Sequence, residues 1–370
     1  MSITYVNARI FTGDRFLEDH AVLTDKGRII GVLPASEVPE DTQLVKLPGL
    51  TLAPSLIDLQ IYGGNDMLFP YHLDTASLKA TYEYCRGGGA AHYMPTVPTS
   101  SWEVMLRAIE AVRQYWEQGG IGVLGLHLEG PFMNPEKRGA HLLQYITVPT
   151  QKDIDRLLEH GRDIIKMMTL APECCDPRLV KQLQDAGILV SAGHSNATYE
   201  QAYTAFDNGI PAATHLFNAM SALQGRAPSM VGAIYDHDRV CASVVADGVH
   251  VDFASIRISK KIMGERLFLI TDAVAECLEG DYIYIREKDR YVNAQGILAG
   301  SCLTMMQAAK NCVEKAGIAV DEALRMASTY PATLAGRGND LGRIAAGYRE
   351  SMVAFDEYFE VHHTFDGSES

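Results

Sequence analysis

Eight times between residues 52 and 270 the chain repeats one cadence: a short apolar, β-prone stretch, a polar motif, then a segment of helical periodicity. The apolar stretches are residues 52–57, 92–94, 123–128, 164–170, 188–192, 212–214, 240–245 and 267–270. Between them, Met105, Ile109, Val112 and Trp116 recur at three-to-four spacing over 102–116, a stripe suited to packing on a sheet. Thr198 and Gln201 read as a capping box opening a helix over 199–208, with Gly209 as its stop. Residues 252–263 and 303–316 read as helices too. Strand and helix in eightfold alternation predict an α/β chain closed into a parallel (β/α)8 barrel of TIM type.

The flanks differ. Residues 1–50 hold short β runs (4–10, 21–24 and 28–32) punctuated by Gly13, Gly27, Gly31, Pro34 and Pro48, and 341–365 is again β-like. The two flanks, 1–50 and 341–370, are expected to form one small β-sandwich domain beside a catalytic barrel over 51–340. A frayed tail is expected over 367–370.

Composition narrows the function. With 47% hydrophobic and 21% charged residues the chain is globular rather than disordered. No apolar run nears the roughly 20 residues that span a bilayer, and the first residues lack a signal-peptide pattern. Seven cysteines without a C-x-x-C pair point to reduced thiols in a cytoplasm and away from a cysteine zinc site. A net charge of −14 with no Lys/Arg cluster argues against nucleic acid and anionic membranes. An anionic substrate would need its own local donors.

Ionisable residues recur where the barrel strands end, the rim at which such barrels carry their chemistry. Asp58 and Gln60 follow strand one, and His127-Leu128-Glu129 closes strand three. His194 follows strand five, His215 strand six, Asp247 and His250 strand seven, and Asp272 strand eight. Glu129, His194 and His215 make a carboxylate-plus-two-imidazole set, a catalytic zinc complement with a fourth position left for water. Such a metal lowers the pKa of its water to about 7. Asp272 would then act as general base and return the proton to a leaving nitrogen. Taken singly each has a plainer reading: a core histidine, a carboxylate pairing with Arg138, a helix cap at Asp272. Four together on one rim favour a site. His127 reads as structural; His20, His72, His160, His237, His362 and His363 receive no role.

The motifs HLEGPF (127–132), SAGHSNAT (191–198), ATHLFNAM (213–220), ADGVHVD (246–252), TDA (271–273) and LAGS (298–301) resemble the N-acetylglucosamine-6-phosphate deacetylase family of the amidohydrolase superfamily. The resemblance runs from residue 52 to 347. It implies a homodimer that removes acetate from a phosphorylated N-acetyl amino sugar. It also implies one divalent cation on Glu129, His194 and His215, zinc first, with iron, cobalt or manganese accepted by the same donors. Asp272 would be the acid/base and His141 the group that steadies the developing oxyanion. Asn218, Ala219, Arg226 and His250 match sugar-phosphate contacts, and Ala140, Leu298, Ala299, Gly300 and Ser301 those closing over the sugar and acetyl group. N-acetylgalactosamine 6-phosphate or another N-acyl sugar is an alternative substrate, and a catalytically silent binding protein a further reading.

Departures from the family pattern are visible. Gln60 and Tyr62 stand where most of the superfamily has His-x-His, which disfavours a second cation. Residues 347–352, Gly-Tyr-Arg-Glu-Ser-Met, replace a small-Asp-apolar run, and the loop after Asp272 (274–281) is short.

Overall fold

The computed structural model describes residues 2–367, so residues 368–370 of the expected tail lie outside the described residues. The chain divides into two compact units. The first comprises Met1–Asp58, Tyr84–His92 and Thr304–Ser370, and the second Leu59–Glu83 and Tyr93–Leu303.

An eight-stranded sheet runs in strict chain order. Its members are β1 (Leu56–Ile61), β2 (Ala90–Pro98), β3 (Leu126–Glu129), β4 (Ile165–Leu170), β5 (Leu189–Ala192), β6 (Ala212–Ala213), β7 (Cys241–Val245) and β8 (Leu267–Ile270). Every pair from β2 to β8 is parallel. A parallel bridge between Ile61 and Ala273 joins the two ends, with Tyr62 N–H donating to Ala273 O at 2.8 Å. The sheet therefore closes as the eightfold cadence predicts. Strands buried on both faces read as continuous apolar runs, because no solvent-facing side exists to impose alternation. All nine residues of β2 are buried, although only three of them belong to its predicted stretch.

The first strand is displaced from its predicted position. Residues 51–54 form a separate strand, pairing with Arg9–Phe11 and Met352–Phe355, and β1 begins only at Leu56. Asp58 and Gln60 thus lie within β1 and are fully buried, not beyond its end. Pro54 and Ser55 mark the break between the two strands, within a stretch otherwise apolar on both sides.

In the first unit, a four-stranded sheet (Arg28–Pro34, His20–Asp25, Ile3–Val6, Gln43–Lys46) and a five-stranded sheet enclose one core. Tyr5, Val22 and Ile29 from the former meet Ile10, Leu52 and Met352 from the latter. The unusual segment 347–352 acquires a reason here. Glu350 is buried and accepts hydrogen bonds from Tyr5 Oη at 2.5 Å and Thr24 Oγ1 at 3.0 Å.

Beneath the rim of the second unit lies a polar layer. His127 Nδ1–H donates to Leu59 O at 3.1 Å, and its Nε2 meets Thr169 Oγ1 at 2.8 Å. Thr169, Thr214 and Ser191 continue the chain of hydroxyls at 2.8 and 2.7 Å. Burial holds the His127 imidazole down to about 4, so the ring is neutral and structural.

Candidate active site

Three of the residues named from the strand ends leave their strands by the same device. His194, His215 and Asp272 all adopt left-handed backbone angles, φ +47°, +37° and +53°. Such a conformation costs a non-glycine residue about 1–3 kcal/mol and persists only where neighbours enforce it. The enforcement is visible in each case. His194 O accepts from Asn134 N–H at 3.0 Å, and His215 N–H donates to Ser243 Oγ at 2.7 Å. Asp272 N–H donates to Gln60 O at 3.0 Å, while its carbonyl accepts from Ser301 N–H at 3.0 Å. The turn throws each side chain inward over the barrel mouth.

Glu129 is the centre on which they converge. His215 Nε2 lies 3.1 Å and His194 Nε2 3.3 Å from its Oε1, and His141 Nε2 lies 3.1 Å from its Oε2. Tyr62 Oη donates to Oε2 and Gln60 Nε2 to Oε1, the latter at 3.0 Å. Burial by itself would raise the Glu129 carboxyl. Its imidazole neighbours, His141 first, outweigh it and hold the group well below the usual carboxylate range.

The three imidazoles are not equivalent. Glu129, His141 and His194 bring potential ligand atoms within 4.8 Å of one another, so distance alone would make His141 a ligand. Their remote nitrogens say otherwise. His141 Nδ1 accepts from the backbone N–H of Thr99 at 3.2 Å; that nitrogen carries a lone pair, and the neutral ring bears its proton on Nε2, pointing into the site. His194 Nδ1 faces the carbonyl of Lys137 at 2.9 Å; it must be N–H, leaving the Nε2 lone pair inward. Burial, and after it the nearness of the His141 ring, holds His194 down to about 4. His215 Nε2 sits 3.0 Å from His194 Nε2, and its Nδ1 is buried without a hydrogen-bond partner among the described residues. An ionised carboxylate beside two inward imidazole nitrogens fits a divalent cation. His141 fits the role of donor.

Asp272 faces this set across Gln60, whose Nε2 donates to Asp272 Oδ1 and Glu129 Oε1 at 3.0 Å each. Burial, then the charge of Glu129, raises the Asp272 carboxyl above its ordinary value. His250 Nε2 stands 3.7 Å from Asp272 Oδ2, and its Nδ1 is tied to Asp247 Oδ2 at 2.6 Å. These groups open onto a cavity of about 160 Å³. Of the other predicted residues, Ala140, Asn218, Ala219, Leu298 and Ala299 line it. Gly300, Ser301 and Arg226 do not. Ser301 turns its hydroxyl to Thr271 O at 2.6 Å and braces Asp272, and Arg226 is exposed on a turn closed by Gln224 and Ala227.

Residues 51–369 match the Amidohydrolase family, and residues 4–52 match the NagA composite domain. The chain belongs to the amidohydrolase family. It is 36% identical to the N-acetylglucosamine-6-phosphate deacetylase of Haemophilus influenzae, over 98% of this chain and 97% of that protein. The crystal structure of N-acetylglucosamine-6-phosphate deacetylase from Pasteurella multocida superposes with a TM-score of 0.95 at 35% identity, covering 100% of this chain and 99% of the other. A mutant of the Mycobacterium smegmatis enzyme, in complex with N-acetyl-D-glucosamine-6-phosphate, gives 0.90 at 28% identity, covering 99% and 98%.

This amidohydrolase also has cavity residues that motif reading passes over. Tyr282 and Tyr284 line the cavity beside Tyr62, which its place in the His-x-His position already marks. Tyr282 and Tyr284 are stacked, 6.2 Å apart with planes at 15°, and Tyr282 Oη donates to Thr99 O at 2.6 Å. They stand just past the short loop after Asp272. Their signal was the spacing of two, which in extended chain places both rings on one side.

Proposed function

We propose that this amidohydrolase hydrolyses the acetamide of N-acetylglucosamine 6-phosphate to glucosamine 6-phosphate and acetate. The observation that carries the reading is the opposition of Asp272 to the Glu129, His194 and His215 set, with the His141 Nε2–H beside it in one cavity. The deacetylase relatives support the substrate.

Glu129, His194 and His215 would hold one divalent cation, zinc first, with iron, cobalt or manganese suited to the same donors. When bound, the cation supplies Lewis-acid polarisation of the carbonyl and a water acidified to a pKa of about 7. Asp272 accepts the proton of the attacking water and later delivers it to the departing amine nitrogen. His141 Nε2–H donates to the amide oxygen, and strengthens that bond as negative charge gathers there. Tyr282, Tyr284, Leu298 and Ala299 exclude water from the sugar side. Asn218, Ala219 and His250 contact the sugar phosphate; Arg226, exposed on its turn outside the cavity lining, is the planar, bidentate donor that the family resemblance assigns to the phosphate. A cytoplasmic homodimer completes the proposal, supported by the family resemblance and by cysteines that form no disulfide among the described residues.

Acetate release from N-acetylglucosamine 6-phosphate, its galacto epimer and unphosphorylated N-acetylglucosamine tests this. The expected result is the highest kcat/KM on the first. Equal turnover of the unphosphorylated sugar would overturn the phosphate assignment, and a preference for the epimer would overturn the sugar.

A further inference from the structure

The neighbours that hold His194 in its left-handed turn are gathered by one side chain that does not line the active-site cavity. Glu173 stands in the 3-10 turn Pro172–Cys174 after β4. Its Oε1 accepts from Asn196 N–H at 2.7 Å and from Asn134 Nδ2 at 3.0 Å, and its Oε2 accepts from Ser195 Oγ at 2.6 Å. Asn134 N–H donates to His194 O at 3.0 Å. Asn134 also caps the 3-10 turn Pro135–Lys137, whose last residue offers its carbonyl to His194 Nδ1 at 2.9 Å. One carboxylate therefore ties both residues after His194 to the loop that selects its tautomer.

We infer that Glu173 is a positioning residue that sets the backbone turn and the tautomer of His194, and through them the affinity of the site for its cation. The inference rests on His194 being a cation ligand. A carboxylate suits the task because it accepts three hydrogen bonds at once without needing a proton of its own, and charge-assisted bonds are the stronger kind. Gln can keep the geometry: its oxygen accepts from Asn134 and Asn196, and its amide can donate to Ser195 Oγ. Ala cannot. Val180 offers a control, because it borders with Glu173 a separate cavity of about 340 Å³ and makes none of the bonds around His194.

The test is zinc affinity of the intact protein by chelator competition, for wild type and the variants His194→Ala, Glu173→Ala, Glu173→Gln and Val180→Ala, with melting curves on each. Glu173→Ala is expected to lose about 10- to 100-fold in affinity, while Glu173→Gln stays within about three-fold of wild type. Val180→Ala is expected to melt earlier yet bind zinc as wild type does. If Glu173→Ala does not fold, Ser195→Ala, which removes the Oε2 partner and the acceptor of Ala197 N–H but leaves both Oε1 bonds, takes its place and is expected to lose part of the affinity. Wild-type affinity in Glu173→Ala, or in Ser195→Ala where it stands in, or an equal loss in Val180→Ala, overturns the inference while leaving the ligand assignment intact. Wild-type affinity in His194→Ala overturns both.

Discussion

His141 and His194 stand ring against ring, centroids 4.4 Å apart and planes crossing at 69°, yet they offer opposite chemistry to the same carboxylate. The backbone decides which does which. An N–H from Thr99 forces a lone pair onto His141 Nδ1, and a carbonyl from Lys137 forces a proton onto His194 Nδ1. The outcome is a donor and a ligand side by side.

That division predicts separable losses. His141→Ala should retain the cation and lower kcat by about 100- to 1,000-fold, the cost of one oxyanion donor. His194→Ala should lose the cation itself. Metal analysis of each purified variant beside its turnover checks the pair; loss of cation in the His141 variant would mean that distance, not tautomer, defines the ligand set.

Gln60 keeps two carboxylates in adjacent positions by donating to both. In Gln60→Leu, Asp272 loses a hydrogen bond that favours its ionised form, so its pKa rises. A base must be deprotonated to work, and the acid limb of kcat/KM should therefore move to higher pH, by about one unit for a charge-assisted bond. An unchanged pH profile would contradict the assignment of that limb to Asp272.

Stability should depend on pH through the first unit. His92 is buried with Nε2 2.9 Å from Ser351 Oγ, and burial, then the charges of Arg349 and Arg337, holds its imidazole down from 6.5 to about 3. Between those values the unfolded chain takes up a proton that the native state refuses. The contribution is thus fully present above about pH 6.5 and is lost as pH falls toward 3, at up to about 1.4 kcal/mol per unit. In urea denaturation at pH 7 and pH 5, His92→Gln, which keeps a partner for Ser351 without titrating, should lose about 2 kcal/mol less stability than wild type on going to the lower pH. Equal drops in the two proteins would exclude His92 as the source.

Gly193 precedes His194, and an added Cβ would come within 2.7 Å of Thr169 Cγ2 and 3.0 Å of Thr214 Cβ, both in the packed polar layer. Gly193→Ala should cost about 1–3 kcal/mol of stability as those two threonine side chains give way. A melting curve matching wild type would show that the layer yields freely.

The eightfold alternation made the barrel legible, because each strand is short, apolar and bounded by polar motifs. The start of β1 was misplaced, since Leu52, Ala53, Leu56 and Ile57 read as one apolar stretch across Pro54 and Ser55, although they belong to two strands in different sheets. Glu129, His194, His215 and Asp272 could be singled out as charges too costly to bury without purpose. What brings them together is a set of left-handed turns held by Asn134, Ser243 and Gln60, and no local pattern at a non-glycine residue announces that conformation. The roles of Tyr282 and Glu173 depend on contacts across 183 and 22 residues of chain. Arg226, chosen by motif, lies away from the cavity lining, because a motif fixes position along the chain but not the direction of an exposed turn.

Turnover and cation content of Asp272→Asn, measured on one preparation, test the central claim most directly. Asparagine fills the same space and keeps an oxygen for Gln60 but cannot carry a proton. The variant should hold its cation and release acetate about 100- to 10,000-fold more slowly. Acetate release near the wild-type rate with the cation in place would show that another group moves the proton.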